Sequence, residues 1–131
     1  MHKASENVKI TYSIPVAATY RTAAQVTGVG VDMAKYNNFA GIINAAGATQ
    51  WQGALTCYIA ESTDNATFST TFLATLTIAT ATLHTAQSLE VRAEEMTDAY
   101  RYLRLEVTPA AGTGNLFSAD NVRFNPRYLA P

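Results

Sequence analysis

His2, Cys57, His84 and the carboxylates Glu94, Glu95 and Asp98 are the side chains of this sequence best suited to proton transfer, nucleophilic attack or metal ligation. A metal site built on His84 needs further His, Cys, Asp or Glu ligands at fixed spacing, and no HxH, HExxH or CxxC pattern supplies them. His2 lies in the N-terminal tail, far from His84 along the chain. Cys57 alternates in phase with Leu55 and Ile59, which places it on a buried face, where desolvation raises a thiol pKa instead of activating it. Its one conceivable base is His84. Catalytic carboxylate pairs face each other across a cleft, about 5 to 9.5 Å apart. Glu94, Glu95 and Asp98 are neighbours in one polar turn, which suits solvation or helix capping instead. Gly28-Val29-Gly30 lacks the third glycine and following helix of a dinucleotide fingerprint, and there is no phosphate loop or GxSxG. The chain reads as a non-enzyme with no catalytic residues, no cofactor and no metal.

Binding chemistry is the next possibility. Arg101, Arg104, Arg123 and Arg127, with Tyr100, Tyr102 and Tyr128, form the one basic-aromatic cluster. Nucleic-acid binding needs a basic stripe with aromatic platforms on one face. Strand alternation splits this set between two faces and acids stand nearby, so it reads as rim salt bridges and interface contacts. Nine Lys and Arg against ten Asp and Glu leave a net charge of −1, which favours neither a polyanion nor a membrane surface. No apolar run approaches the roughly 20 residues of a membrane span. Trp51, with Tyr58 or Tyr20, is of a type that stacks on sugar rings, although a single Trp near a turn more often anchors a core or an interface.

The elements that position these residues are strands. Of 131 residues, 23 are Ala and 18 are Thr, interleaved with Val, Ile and aromatics. Threonine is stiff at χ1 and fits a pleated surface better than a helix. Small, weakly charged side chains also cost little to desolvate, which suits a face packed against a partner. Val8, Ile10, Tyr12 and Ile14 alternate with Lys9, Thr11 and Ser13, the period of a half-buried strand that Pro15 ends. Tyr20–Gln25 reads as loop. Val29, Val31 and Met33 mark a second strand, closed by Asn37-Asn38. Phe39–Asn44 reads as a strand buried on both faces, and Ala45–Ala48 as a turn.

Leu55, Cys57 and Ile59 alternate up to the Glu61–Asn65 loop, and Phe72, Ala74, Leu76 and Ile78 alternate with Thr71, Leu73, Thr75 and Thr77. Leu89 and Val91 mark a further strand, and Glu94–Ala99 one helical turn. Arg101, Leu103, Leu105 and Val107 oppose Tyr102, Arg104 and Glu106. Pro109–Asn115 is a turn, and Val122 with Phe124 marks the last strand. Seven or eight short strands with no amphipathic helix and no repeat predict a single antiparallel β-sandwich spanning residues 1–131. Residues 1–7 and 125–131 read as short flexible arms. The N-terminal residues have no apolar segment or cleavage-like site, so no Sec signal peptide is expected, and the lone Cys57 has no partner for an intrachain disulfide. The sequon Asn65-Ala66-Thr67 then reads as a turn and not as a glycosylation site.

The run Tyr58-Ile59-Ala60-Glu61-Ser62-Thr63-Asp64-Asn65-Ala66-Thr67-Phe68-Ser69, followed by Asp98-Ala99-Tyr100-Arg101-Tyr102-Leu103-Arg104 and preceded by Val31-Asp32-Met33-Ala34-Lys35-Tyr36, resembles small structural proteins of tailed bacteriophages. In that family of head decoration, or cement, proteins an x-E-S-x-D-x-x-x-F turn precedes a D-x-x-R-Y-L-R strand. The resemblance covers roughly residues 28–125 and implies a jelly-roll-like sandwich. The residues have structural work of their own: Ser62, Asp64 and Asn65 can close a hairpin through side-chain bonds while Phe68 returns to the core. Where the family pattern leads one to expect a glycine, Asn65-Ala66 stands, and Asn tolerates positive φ. The resemblance further implies a virion protein on the capsid exterior, made in the bacterial cytoplasm. Its partner would be the major capsid protein, bridged by a homo-oligomer (dimer or trimer), with no nucleic-acid or membrane partner. Candidate partner contacts are Trp51, Tyr20, Arg21, Arg127, Tyr128 and Leu129, with the two arms as tethers. The competing reading is a glycan-binding sandwich such as a receptor-binding tip.

Overall fold

The computed structural model describes residues 8–14, 21–22, 25–45, 53–79, 86–110, 114–115 and 117–127. In chain order the strands are β1 (Val8–Ile14), β2 (Arg21–Thr22), β3 (Val26–Thr27), β4 (Val31–Asp32), β5 (Tyr36–Ala45), β6 (Leu55–Ser62), β7 (Ala74–Ile78) and β8 (Ala86–Arg92). A 3-10 turn at Ala93–Glu95 follows, then β9 (Tyr102–Pro109), β10 (Gly114–Asn115) and β11 (Phe117–Pro126). Every strand pairing is antiparallel. The described chain is nearly all β, as the two-residue alternation predicts, with a few more strands than the seven or eight expected.

The extra strands are two-residue pieces with identifiable origins. β3 and β4 both pair with β9 (Val26↔Val107 and Val31↔Leu103), so they are two halves of one edge strand interrupted at Gly28-Val29-Gly30. Counted that way, eight principal strands interleave among the described residues. The first sheet runs β1-β11-β5-β8, and the second runs β3/β4-β9-β6-β7. Strands one, eight, three and six thus face strands two, seven, four and five, which is the jelly roll. β2 and β10 form a separate two-stranded ladder in segments expected to be loop and turn.

The core lies between the two sheets. Leu55, Cys57 and Ile59 of β6, Leu103, Leu105 and Val107 of β9, and Phe39 and Ile43 of β5 are all fully buried. Cys57 is a core thiol, its pKa pushed up to about 12 by burial. The sheets approach tightly at Gly41, where any Cβ would overlap the Leu105 methyls. At one corner the interrupted strand ties the sheets together: Gly28 N–H donates to Leu105 O at 2.7 Å, and Val29 N–H to Ser13 O at 3.2 Å. Gly28 is required there, because a side chain would strike the Ser13 hydroxyl. So Gly28-Val29-Gly30, unremarkable as a nucleotide motif, is where backbone must approach backbone.

Four expectations need correction. Val8, Ile10, Tyr12 and Ile14 do not share a face: the register shifts between Tyr12 and Ile14, a bulge that sends Ile14 inward and leaves Ile10 66 % and Tyr12 79 % exposed. β5 is buried at Phe39, Gly41 and Ile43 on its inner face and at Ala40 on the other, but Ile42 is half-buried and Asn44 exposed, so burial on both faces holds only in part. It also runs through Asn37-Asn38 instead of a strand ending there. Phe72 precedes β7 and stacks on Tyr58 (centroids 4.2 Å apart), while Leu73 packs on the core, so the expected alternation breaks at that point. β11 extends to Pro126, and Arg127 N–H donates to Lys35 O at 2.8 Å, so the first residues assigned to the C-terminal arm are strand-bound.

Two substitution experiments follow from this packing. Leu103→Asp places an uncompensated carboxylate among fully buried residues, and its cost is of the order of the whole stability of a small domain. It is expected to abolish cooperative unfolding in circular dichroism melts, whereas Thr77→Asp, on the exposed side of β7, leaves the melt nearly unchanged. Separately, the Thr11 hydroxyl is enclosed with no hydrogen-bond partner. Removing an unsatisfied polar group without changing shape relieves its desolvation cost. Thr11→Val is therefore expected to raise the melting temperature by a few degrees; a fall would mean that a bound water satisfies the hydroxyl.

Candidate docking face and basic groove

Of the candidate contacts, Tyr20, Trp51, Tyr128 and Leu129 lie outside the described residues, as do His2 and His84. Arg21 belongs to β2, paired with Asn115. Arg127 is exposed and donates from Nε to Tyr36 O at 3.2 Å. Tyr58, proposed to flank Trp51, is engaged with Phe72. Glu94 and Glu95 are exposed and serve the 3-10 turn: Arg92 N–H donates to the Glu95 carboxylate at 2.8 Å, and the Arg92 guanidinium pairs with Glu94 at 3.0 Å. Among the described residues two carboxylates are buried, and both are fully committed. Glu61 accepts from the backbone and hydroxyl of Thr97. Glu106 accepts from Arg104 at 2.7 and 2.9 Å and from Gln25 at 2.9 Å. Among the described residues no cluster of His, Cys, Asp and Glu is suited to hold a metal.

The Glu61–Phe68 segment closes as its side chains predict. Ser62 Oγ donates to Thr67 O at 2.6 Å, Asp64 Oδ1 accepts from the N–H groups of Ala66 and Thr67, and Asn65 adopts φ 59°. Phe68 does not enter the core. It lies under the Arg104 guanidinium, 4.1 Å from its ring centre, with Gly30 against its edge.

Two surfaces stand out once the registers are known. The first is the outward face of β1-β11-β5-β8. Cross-strand rows read Val8–Phe124–Asn38–Arg92, Ile10–Val122–Ala40–Glu90 and Tyr12–Asp120–Ile42–Ser88. Apolar side chains predominate on the β1 and β11 side and reach the middle at Ala40 (itself 7 % exposed) and Ile42, interrupted by Asp120 and Asn38, with polar ones along β8. An apolar patch with a polar rim is the arrangement of a contact surface. The sequence carries this signal as Val8, Ile10 and Tyr12, but alternation by itself does not say which parity faces inward.

The second surface is a groove around Asp32. Arg101 grips the Asp32 carboxylate through Nε, at 2.8 Å, and through its terminal nitrogen. This contact comes first among the causes that hold the Asp32 pKa below the usual carboxylate range. Arg123 donates to Asp32 O at 3.0 Å, rests against the Tyr36 ring 5.3 Å from its centre, and encloses an Nε with no acceptor. With Lys9 and Lys35, these residues line a hollow of about 330 Å³. A second hollow of about 360 Å³ shares Arg101 and Ala34 with it, and a third of about 560 Å³ shares Arg127 and Ala93 with the second. Ala99, on the wall of the second, holds φ 70°, a costly conformation for an L-residue with a side chain. The predicted basic cluster is thus partly assembled: Arg101, Arg123 and Arg127 meet here, whereas Arg104 is committed to Glu106. Lys9 and Lys35 come from segments that sequence distance keeps apart.

No protein-family model matches the sequence, and no characterised protein is detectably similar to it in sequence. Solved structures do share the fold. The crystal structure of the PBSX exported protein XepA superposes with a TM-score of 0.64 at 16 % identity, covering 100 % of this chain and 41 % of that one. Infectious bursal disease virus, Gx strain, superposes with a TM-score of 0.55 at 16 % identity, covering 95 % of this chain and 33 % of the viral one. The chain therefore spans less than half the length of each of these two proteins. A phage-encoded exported protein and a virus thus contain the same kind of sandwich.

The Asp32–Arg101 pair generates a pH dependence. A carboxylate whose pKa is depressed on folding stabilises the fold above its unfolded value, and that contribution is lost as pH falls through the folded value. The unfolded value is about 3.9. Stability in urea is expected to decline as pH drops below about 5, and Asp32→Asn to flatten that decline while lowering stability at pH 7. An unchanged slope would remove Asp32 from the titration.

Proposed function

We propose that this chain is a virion structural protein of a tailed phage. It docks on the outside of the assembled capsid and stabilises it by bridging neighbouring copies of the major capsid protein. It acts as a dimer or trimer, without catalysis or cofactor. Made in the host cytoplasm, it takes its place on the capsid exterior, with no nucleic-acid or membrane partner. The observation that carries the reading is the outward face of β1-β11-β5-β8, where Ile10 and Tyr12 stand in solvent at the apolar side of a four-stranded sheet. Such a face gains by being covered, at about 25 cal/mol per Å² of apolar area. Many copies on one shell sum individually weak contacts into a large effect. The jelly roll, an architecture that capsid domains use, and the superpositions on a phage exported protein and a virus support the reading at the level of fold.

Co-sedimentation with phage capsids lacking the protein tests it, together with a mass measurement of the free chain. Saturable binding at a fixed ratio to capsid subunits is expected, with greater heat resistance of the shell. Ile10→Lys with Tyr12→Lys should weaken binding roughly a hundredfold while leaving the fold intact, because two large apolar side chains lose their burial. A folded chain that ignores capsids and instead binds a defined glycan would overturn the proposal in favour of a receptor-binding tip.

A further inference from the structure

We propose that the groove around Asp32 is a docking site for an acidic peptide segment of a partner protein, whose carboxylates are gripped by Lys9, Lys35 and Arg123. The inference stands on the groove alone and holds whatever partner covers the outer sheet face. Four cations, Lys9, Lys35, Arg101 and Arg123, line the first hollow, against the single carboxylate of Asp32. Arg101 neutralises that carboxylate through two parallel hydrogen bonds, which leaves the charge of the other three uncompensated. Neither Lys9 nor Lys35 has an ion-pair partner among the described residues. Arg123 is already oriented by Asp32 O and Tyr36, so little side-chain freedom remains to be lost when it meets an anion. Arginine and lysine donors in a half-enclosed hollow match carboxylate oxygens with charge-assisted hydrogen bonds.

Shape and charge spacing select a peptide. The three hollows adjoin one another, so the site is elongated, and the second is walled by Met33, Met96 and Tyr100, apolar surface that a small oxyanion leaves unused. Glu94 lines the third hollow, as Asp32 lines the first. Because Glu94 pairs with Arg92, no continuous basic stripe runs the length of the groove as a polyanion such as nucleic acid needs, whereas an extended peptide can set its carboxylates at the first hollow and neutral residues beyond. The third hollow includes Asn38 and Arg92, which form the end row of the outer sheet face, so the groove and that face are continuous.

The test uses the full chain at low ionic strength. Titration calorimetry compares a peptide of alternating Ala and Glu with its Ala-Gln counterpart, with inorganic phosphate and with a single-stranded oligodeoxynucleotide. The Glu peptide is expected to bind measurably and to weaken with added salt, and the Gln peptide to bind at least tenfold more weakly. The double variant Lys9→Gln/Lys35→Gln should lose roughly tenfold in affinity, a figure discounted for the exposure of both lysines. The control Thr75→Glu/Thr77→Glu changes the net charge equally on the far β7 strand and should bind as the parent does. Absence of binding, equal loss in the control, or an oligonucleotide or phosphate that binds as tightly as the peptide each overturns the proposal.

Discussion

The fold depends on one close approach, between the Leu105 side chain and the bare backbone of Gly41. Leu105 belongs to β9, inside the second sheet, and Gly41 to β5, inside the first, so this contact sets the distance between the two layers. The same residue also fixes the corner, because its carbonyl accepts from Gly28 N–H and holds the interrupted strand against β9. With the layers this close, the inward side chains of β6, β9 and β5 interdigitate to the density of a protein interior. The outward faces are then whatever remains of each alternation, and their character follows from the core rather than being chosen independently of it.

That dependence explains what could be read in the sequence. The strong alternations of β6 and β9 gave both position and parity, because Leu55, Cys57, Ile59, Leu103, Leu105 and Val107 are apolar on one side and mostly polar or small on the other. β1 is apolar on one parity along its whole length, and only a bulge reverses its sense at Ser13. A bulge has no sequence marker there, so the outer face was hidden in a pattern that looked like core. The Ser62–Thr67 turn was legible because its bonds are local, made within five residues. The basic groove was legible only in part: Arg101, Arg123 and Arg127 are visible as a cluster, but Lys9 and Lys35 arrive through β1–β11 pairing and the turn before β5, which no local pattern specifies.

Charge is distributed with similar economy. The chain is nearly neutral as a whole, yet Lys9, Lys35, Arg101, Arg123 and Arg127 gather at one end of the sandwich, with Asp32 at their centre. The Asp32 carboxylate offsets part of the repulsion among these guanidinium and ammonium groups. The two buried carboxylates, Glu61 and Glu106, are spent on stitching the second sheet to its neighbouring segments. Fixed charges therefore serve structure on one sheet and leave a surplus at the end that both sheets share.

The bulge in β1 has a bearing on self-association. Among the described residues no strand pairs with the outer edge of β1, and an open edge with apolar neighbours is a template on which identical strands stack into fibres. The offset between Tyr12 and Ile14 breaks the regular ladder that such stacking needs, and Lys9 sets a charge along the same edge. An irregular edge carrying a charge disfavours an unlimited succession of copies, so the exposed apolar surface of Ile10 and Tyr12 is carried while runaway polymerisation is resisted.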